Sequence, residues 1–420
     1  MHLLEYQLGS IAMSHARCPR LTLGVIVSAP YLVAGCTANP EAEQPQWSVY
    51  DSAGVGVFEV EAAITTLRSP VTPLAMSLER RIRPSETDGA TLYRVTAAAV
   101  HPNGDVVVAN AGSSEILFFD TQPSPDGRFG RRGNGPGEFR SLGSMRIGPN
   151  DSIWAYDARL SRMTVIAPTT LEYRTELIRH PEGGVLAQFL GFVSPSGRLF
   201  AEGTGISGPR VEGIVEVPFH LWVVDEDGSG RALGSFERAP LYRTVNGDMT
   251  GFRTIPFTAA HTFAIHMDTL FVGRGDEPVV WIQSPPGRTA TILRWNDDPE
   301  AITSSDRSRF VEGRVRGAET EEARRTARET WSRVAEIPTT WPFYDRLLVD
   351  DAGSVWIRKV PRPTQDTHNT WFRLNRSDMR VMSLETDKQF QVTTIANGQL
   401  LGVWRDSLDV EEIRVYRIDN

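Results

Sequence analysis

Cysteine is close to absent from this chain: 420 residues carry two, Cys18 and Cys36. A body that begins at Cys36 has no internal disulfide available, so it must stand on apolar burial alone, and its 385 residues allow a large core. Lysine is equally scarce. Of 44 basic residues only Lys359 and Lys388 are lysine, a bias that fits a GC-rich genome better than selection for phosphate contacts. The formal charge is −8 and no basic stripe or arm occurs, which excludes a nucleic-acid partner. No apolar run is long enough to span a bilayer comfortably. Enzyme signatures are missing too: there is no G-x-S-x-G elbow, H-E-x-x-H, P-loop or C-x-x-C.

What is present begins with an address. Residues 21–35, "LTLGVIVSAPYLVAG", follow Arg17 and Arg20 and end in small residues, the layout of a secretory signal. Val33-Ala34-Gly35-Cys36 resembles the lipobox of bacterial lipoproteins. The resemblance implies a signal peptide over 1–35 and lipidation of Cys36, with a lipid anchor in the membrane. "TANPEAEQPQ" then has the composition of a disordered tether, 36–46. Thr37 is not the aspartate that retains many lipoproteins at the inner membrane, so the expected location is the cell envelope, at the outer membrane. The twelve residues before Met13 lack a basic cluster, which leaves Met1 and Met13 both open as the start.

The body, 47–420, is a repeat. Six units, from "AAAVHPNGDVVVAN" to "TTIANGQLLGVW", each read as strand, tight turn, strand. Their turns fall at Asn103, Asn150, Ser196, Asp268, Ala352 and Asn397, with spacings of 47, 46, 72, 84 and 45 residues. Spacings near 46 suit a four-stranded propeller blade, and the two long ones call for insertions. A third strand follows in each unit, as in "SEILFFD" and "EEIRVYRID". The expected fold is all-β: a six-bladed β-propeller with a short helical insertion, closed by an N-terminal strand. The last unit lacks a fourth strand, and "PLAMSLERRIRP", with Leu74, Met76, Leu78 and Ile82 apolar, is expected to supply it. Otherwise two sheet edges would be left open.

Between the first two units lies "GRRGNGPGEF", residues 130–139, with four glycines and one large apolar side chain, Phe139. Together with the strands around it, this stretch resembles NHL-type propeller repeats, whose Gly-rich link joins the outer strand of one blade to the inner strand of the next. The wider resemblance is to NHL-like six-bladed propeller lipoproteins of bacteria, most without an assigned activity. Met145-Arg146-Ile147-Gly148 departs from the usual Ile-Ala-Val-Asp ending, and the third and fourth units have lost the Gly-rich link. Gly130, Gly133, Gly135 and Gly137 are expected to turn the link, and Phe139 to plug between blades. An anion nest built on the glycine amides with Arg131 and Arg132 is the alternative.

Residues 303–336 read as helical, with an N-cap in "TSSD", a break at Gly317, and a stripe of Ala323, Ala327, Trp331 and Val334. They pack on one face of the propeller or form a lid over its axis. "GTGISGPRVEGIVEVP" extends the third unit as a loop or hairpin.

Candidate ligand-binding residues are Arg146 and Arg346, on inner strands where polar residues are unusual, and His261. The arginines either hold an anion in the channel or pair with a blade carboxylate. His261 and His266 are five apart, on opposite faces of one strand, and cannot share a metal from it. Asp157, Asp225, Asp350 and Asp351 are expected as backbone acceptors at strand ends rather than metal ligands. Trp154, Trp356 and Trp404 are expected in the inter-blade core. No catalytic residue, metal site or cofactor is assigned, and a monomer is expected. The functional expectation is a membrane-anchored extracytoplasmic propeller binding a peptide, glycan or protein partner. The alternative is a metal-dependent hydrolase or lyase of the lactonase kind, which needs ligands converging from several inner strands.

Overall fold

The computed structural model describes residues 44–65, 71–83, 90–122, 124–193, 197–203, 209–362 and 367–419. Cys36 and the leader lie outside them, as does the turn at Ser196. Among the described residues six sheets make up the ring; five hold four strands in chain order, and the last holds three that are joined by a strand from the N-terminal side. They are taken as blades 1 to 6, over residues 95–129, 142–177, 185–237, 261–295, 344–387 and 390–419. Within each blade successive strands pair antiparallel. The turns set this pattern: Asn397 and Gly398 take positive φ of 53° and 68°, the conformation that a two-residue hairpin needs.

Six apolar clusters fill the six junctions between neighbouring blades. One joins blade 6 to blade 1 through Leu401, Val403 and Ile413 against Val106, Val108 and Leu117, so the ring is closed. Near the axis, side chains bridge one inner strand to the next. Thr96 Oγ1 donates to the Leu142 carbonyl at 3.1 Å, Phe189 N to Ser144 Oγ at 3.1 Å, and Thr394 Oγ1 to the Ala98 carbonyl at 3.2 Å. Inner strands of blades 1, 2 and 5 bulge at one depth, at Thr96, Gly143 and Asp345. Bulges bend a strand and re-aim its side chains.

Closure follows the expectation. Ala75–Ile82 pairs antiparallel with Glu411–Asp419 as the outer strand of blade 6, with Ile82 opposite Ile413 and Ala75 opposite Asp419. Leu74 and Ile82 are buried, but Leu78 is half exposed because a bulge at Val415/Tyr416 shifts the register. What precedes this strand was not foreseen. Trp47–Ser52 and Val55–Val60 form a hairpin, and its second strand runs parallel to the outer strand of blade 4. Thr72–Pro73 then runs parallel to the outer strand of blade 5. Gln44 is part of this belt rather than of a tether: its amide donates to Thr72 Oγ1 and accepts from Val381 N.

The chain direction defines two faces. Links from outer strand to next inner strand, and turns between second and third strands, lie on one face, here the link face. Turns between first and second, and third and fourth strands, lie on the opposite turn face. All three insertions leave the link face. Gly213–Val215, within blade 3, pairs with the hairpin Leu241–Asn246 and Met249–Thr254 of the link between blades 3 and 4, giving a three-stranded sheet. Helices α1 (Ser304–Val315) and α2 (Glu321–Ala335) occupy the link between blades 4 and 5. Thr303 caps α1 in a reciprocal box with Asp306, and Thr320 caps α2. Val334 and Trp331 pack on Tyr242 and Ile255, so α2 sits on the inserted sheet. Ala323, expected in the buried stripe, is exposed.

Candidate binding clefts on the two faces

The larger cleft opens on the turn face between blades 2 and 3, with a volume of about 1020 Å³. Its aromatic wall is Trp154 and Phe192, edge-on with ring centroids 5.1 Å apart. Trp154 is held by its indole N–H donating to Ser152 Oγ at 2.8 Å, and the Arg174 guanidinium lies over its ring at 5.1 Å. Arg198, almost wholly buried, donates to Glu176 at 2.6 Å and to the Asp225 carbonyl at 3.3 Å, while its Nε–H has no acceptor among the described residues. Arg174, Glu172 and Glu226 line the same space, exposed and outside any ion pair among the described residues. Met267 projects at the rim, 78% exposed.

None of these charged residues was singled out from the sequence. "LEYRTEL" reads only as an outer strand, and nothing local announces that the turns of blades 3 and 4 stand opposite it. Trp154 was assigned to the core; it is buried there and also forms the cleft wall. Trp356 and Trp404 do pack in the junction between blades 5 and 6.

A second cleft, about 390 Å³, opens on the link face, and His261 lines it. His261 begins the inner strand of blade 4, its Nδ1 3.0 Å from both the N–H and the carbonyl of Glu237. Arg146 and Arg346 lie in neither cleft. Arg146, one residue from the turn-face end of its strand, donates to the carbonyls of Leu190 at 3.0 Å and Met145 at 2.8 Å. Burial lowers its pKa. Arg346 sits deeper in blade 5, opposite Arg358, and its pKa is lowered by burial and by that second guanidinium. Asp345, the nearest carboxylate in sequence, is taken bidentately by Arg358. The three candidates are therefore not one site: they belong to three blades and to different depths of the ring.

The Gly-rich link fills its own nest. Glu138 accepts from Gly135 N at 2.7 Å and from Arg131 Nε at 2.8 Å, which lowers its pKa. A Cβ on Gly133 would meet Glu138 Oε2 at 2.0 Å, and Gly130 and Gly137 take positive φ of 97° and 75°. Phe139 is wholly buried between blades 1 and 2. Three of the four aspartates behave as backbone acceptors. Asp157 takes the N–H groups of Arg140, Ser141, Arg159 and Leu160. Asp350 takes those of Ala352 and Ser354 with the Trp356 indole. Asp351 takes the Asn397 N–H at 2.9 Å, whereas the Asp225 carboxylate meets the Ser229 hydroxyl at 3.5 Å.

No protein-family model and no curated protein matches this chain. Among solved structures it is similar to a candidate exported protein of Bacteroides fragilis (10% identity, 87% of this chain and 99% of that one, TM-score 0.47). It is also similar to a DUF4221 family member from Bacteroides vulgatus (12%, 84% and 100%, TM-score 0.49). A third is virginiamycin B lyase from Staphylococcus aureus (10%, 82% and 100%, TM-score 0.40). Likenesses near one-tenth identity attribute no activity to this chain. Its propeller stands on its own sheets.

Proposed function

We propose that this chain is a lipid-anchored extracytoplasmic propeller of NHL-like kind that binds a peptide segment in the turn-face cleft. The observation that carries the reading is the cleft itself, large enough for several residues of an extended chain and lined by unpaired charges of both signs beside an apolar wall. A glycan is the weaker fit. Sugar rings stack on bare aromatic faces, and here Arg174 already lies over Trp154. Arg174 suits a carboxylate of the ligand, and Glu172 and Glu226 suit its basic groups. The lipobox resemblance at Cys36 supports the anchor. The hydrolase or lyase reading has less support, since Asp157, Asp350 and Asp351 accept N–H groups from the surrounding chain.

The test is selection from a random peptide library on the purified chain, followed by titration. Selected peptides should bind Arg174→Glu about tenfold more weakly, a loss of ~1.4 kcal/mol, with the melting temperature unchanged. Peptides that bind this variant as tightly as the parent, or a glycan array that yields ligands where peptide selection yields none, would overturn the reading. For the anchor, Cys36→Ser should leave an unprocessed precursor without palmitate labelling; unchanged mature size would refute it.

A further inference from the structure

Three insertions interrupt this ring, all leave the link face, and each lends a wall to the same cleft. Ile214 and Glu216 come from the insertion in blade 3, Phe257 to Ala260 from the link after the inserted hairpin, and Ile337 to Pro342 from the return of α2. Phe257 packs edge-on against the buried Trp341 with centroids 4.7 Å apart, and Arg362 lies over the Trp341 ring at 5.5 Å, so the aromatic floor of the cleft is chiefly Phe257. Its volume of about 390 Å³ suits a small molecule rather than a chain segment.

The charges in this cleft do not balance locally. Three carboxylates, Glu216, Glu237 and Asp276, face two guanidiniums. Arg274 is held by Asp276 at 2.9 Å, and Arg238 lies over the Phe219 ring at 5.3 Å with its charge not paired to a carboxylate among the described residues. Of the carboxylates, Glu237 has only a long contact to Arg274, at 3.9 Å, and is half exposed. Glu216 is exposed and makes no hydrogen bond or ion pair among the described residues. His261 keeps one ring nitrogen, Nε2, for a ligand, because Nδ1 is taken by the Glu237 main chain.

We infer that the link-face cleft is a second site, separate from the peptide cleft, that takes a small organic ammonium ion with an apolar body. The ammonium meets Glu216 and Glu237 with His261 Nε2, and the apolar part rests on Phe257. An aromatic floor beside free carboxylates favours a cation over a neutral or anionic analogue of the same shape.

The probe is phenethylammonium, titrated calorimetrically into the full chain against 3-phenylpropionamide and 3-phenylpropionate. The cation should bind saturably, and the carboxylate at least about tenfold more weakly. Glu216→Gln should weaken the cation by about three- to tenfold, and His261→Gln should also weaken it. Arg174→Glu on the opposite face should change nothing, so this site can fail while the peptide reading stands. Equal binding of cation and anion, an unaltered affinity in Glu216→Gln with folding intact, or no saturable binding of the cation up to ~10 mM would each overturn the proposal.

Discussion

Between blades 1 and 2 the chain crosses from rim to axis through residues 130–141. Between blades 3 and 4 it takes residues 238–260 and builds a hairpin on the way. Both junctions have apolar cores of similar make, phenylalanines and aliphatic residues from the facing sheets. The difference lies in what covers them. The short link satisfies its turn: Glu138 fills the space formed by the glycines and pairs with Arg131, and Phe139 fills the junction below. No cleft is left there, and Arg132 simply points to solvent. The long link leaves Glu216 and Glu237 at a cleft that its own residues wall. A propeller junction is thus stable with either cover, and ligand sites arise where the cover is polar and incomplete.

The largest expected effect tests the ring that both junctions share. Removing residues 75–82 takes the outer strand from blade 6 and uncovers an edge running along Glu411–Asp419. The loss should exceed ~5 kcal/mol, most of the stability of an ordinary domain, and unfolding should remain one transition because every blade borrows its core from two neighbours. Trimming 37–43 should leave the melting curve in place. A deletion that melts like the parent would mean that the blade 6 pairing is dispensable and the closure argument wrong.

The sealed and open junctions separate at the next size of effect. Phe139→Ala should cost about 3–5 kcal/mol, since a wholly buried ring leaves a cavity between two rigid sheets. Phe257→Ala, at a half-buried ring beneath the link-face cleft, should cost roughly half of that. Its loss should show as faster amide exchange confined to the insertions, with the blades still protected. Equal costs for the two, or exchange that spreads through every blade in Phe257→Ala, would erase the distinction.

Much of the ring was legible because its signals are local. Turn pairs such as Asn103-Gly104 and Asn397-Gly398 and strand alternation mark the blades without tertiary knowledge, and three of the five intervals between turns keep a period near 46 residues. Closure was legible by counting strands, since a sheet one strand short needs a donor. The belt formed by Trp47–Ser52 and Val55–Val60 was not. Ala53-Gly54 marks a hairpin there, but a hairpin sequence does not say which distant edge it joins. The clefts were hidden for the same reason. Arg174 and Glu226 lie in different blades, and only the ring brings them to one space. Arg146 and Arg346 were legible as oddities on inner strands, yet their environments differ, one held by carbonyls and one beside a second guanidinium.

The smallest effect concerns the sealed link alone. The Gly135 N–H and Arg131 stabilise ionised Glu138, so its folded pKa lies below the ordinary value of 4.5. A group depressed in this way contributes stability above its unfolded pKa and loses that contribution as pH falls through the folded value. Glu138→Gln should therefore melt below the parent at neutral pH, and the gap should narrow once the pH drops under 4.5. Gly133→Ala provides the matched control, because its Cβ would push the carboxylate out of the turn without removing the charge. Both variants should converge on the parent in acid, measured as melting temperature against pH. A gap that stays constant down to acid pH would show that Glu138 supports the link by shape and not by charge.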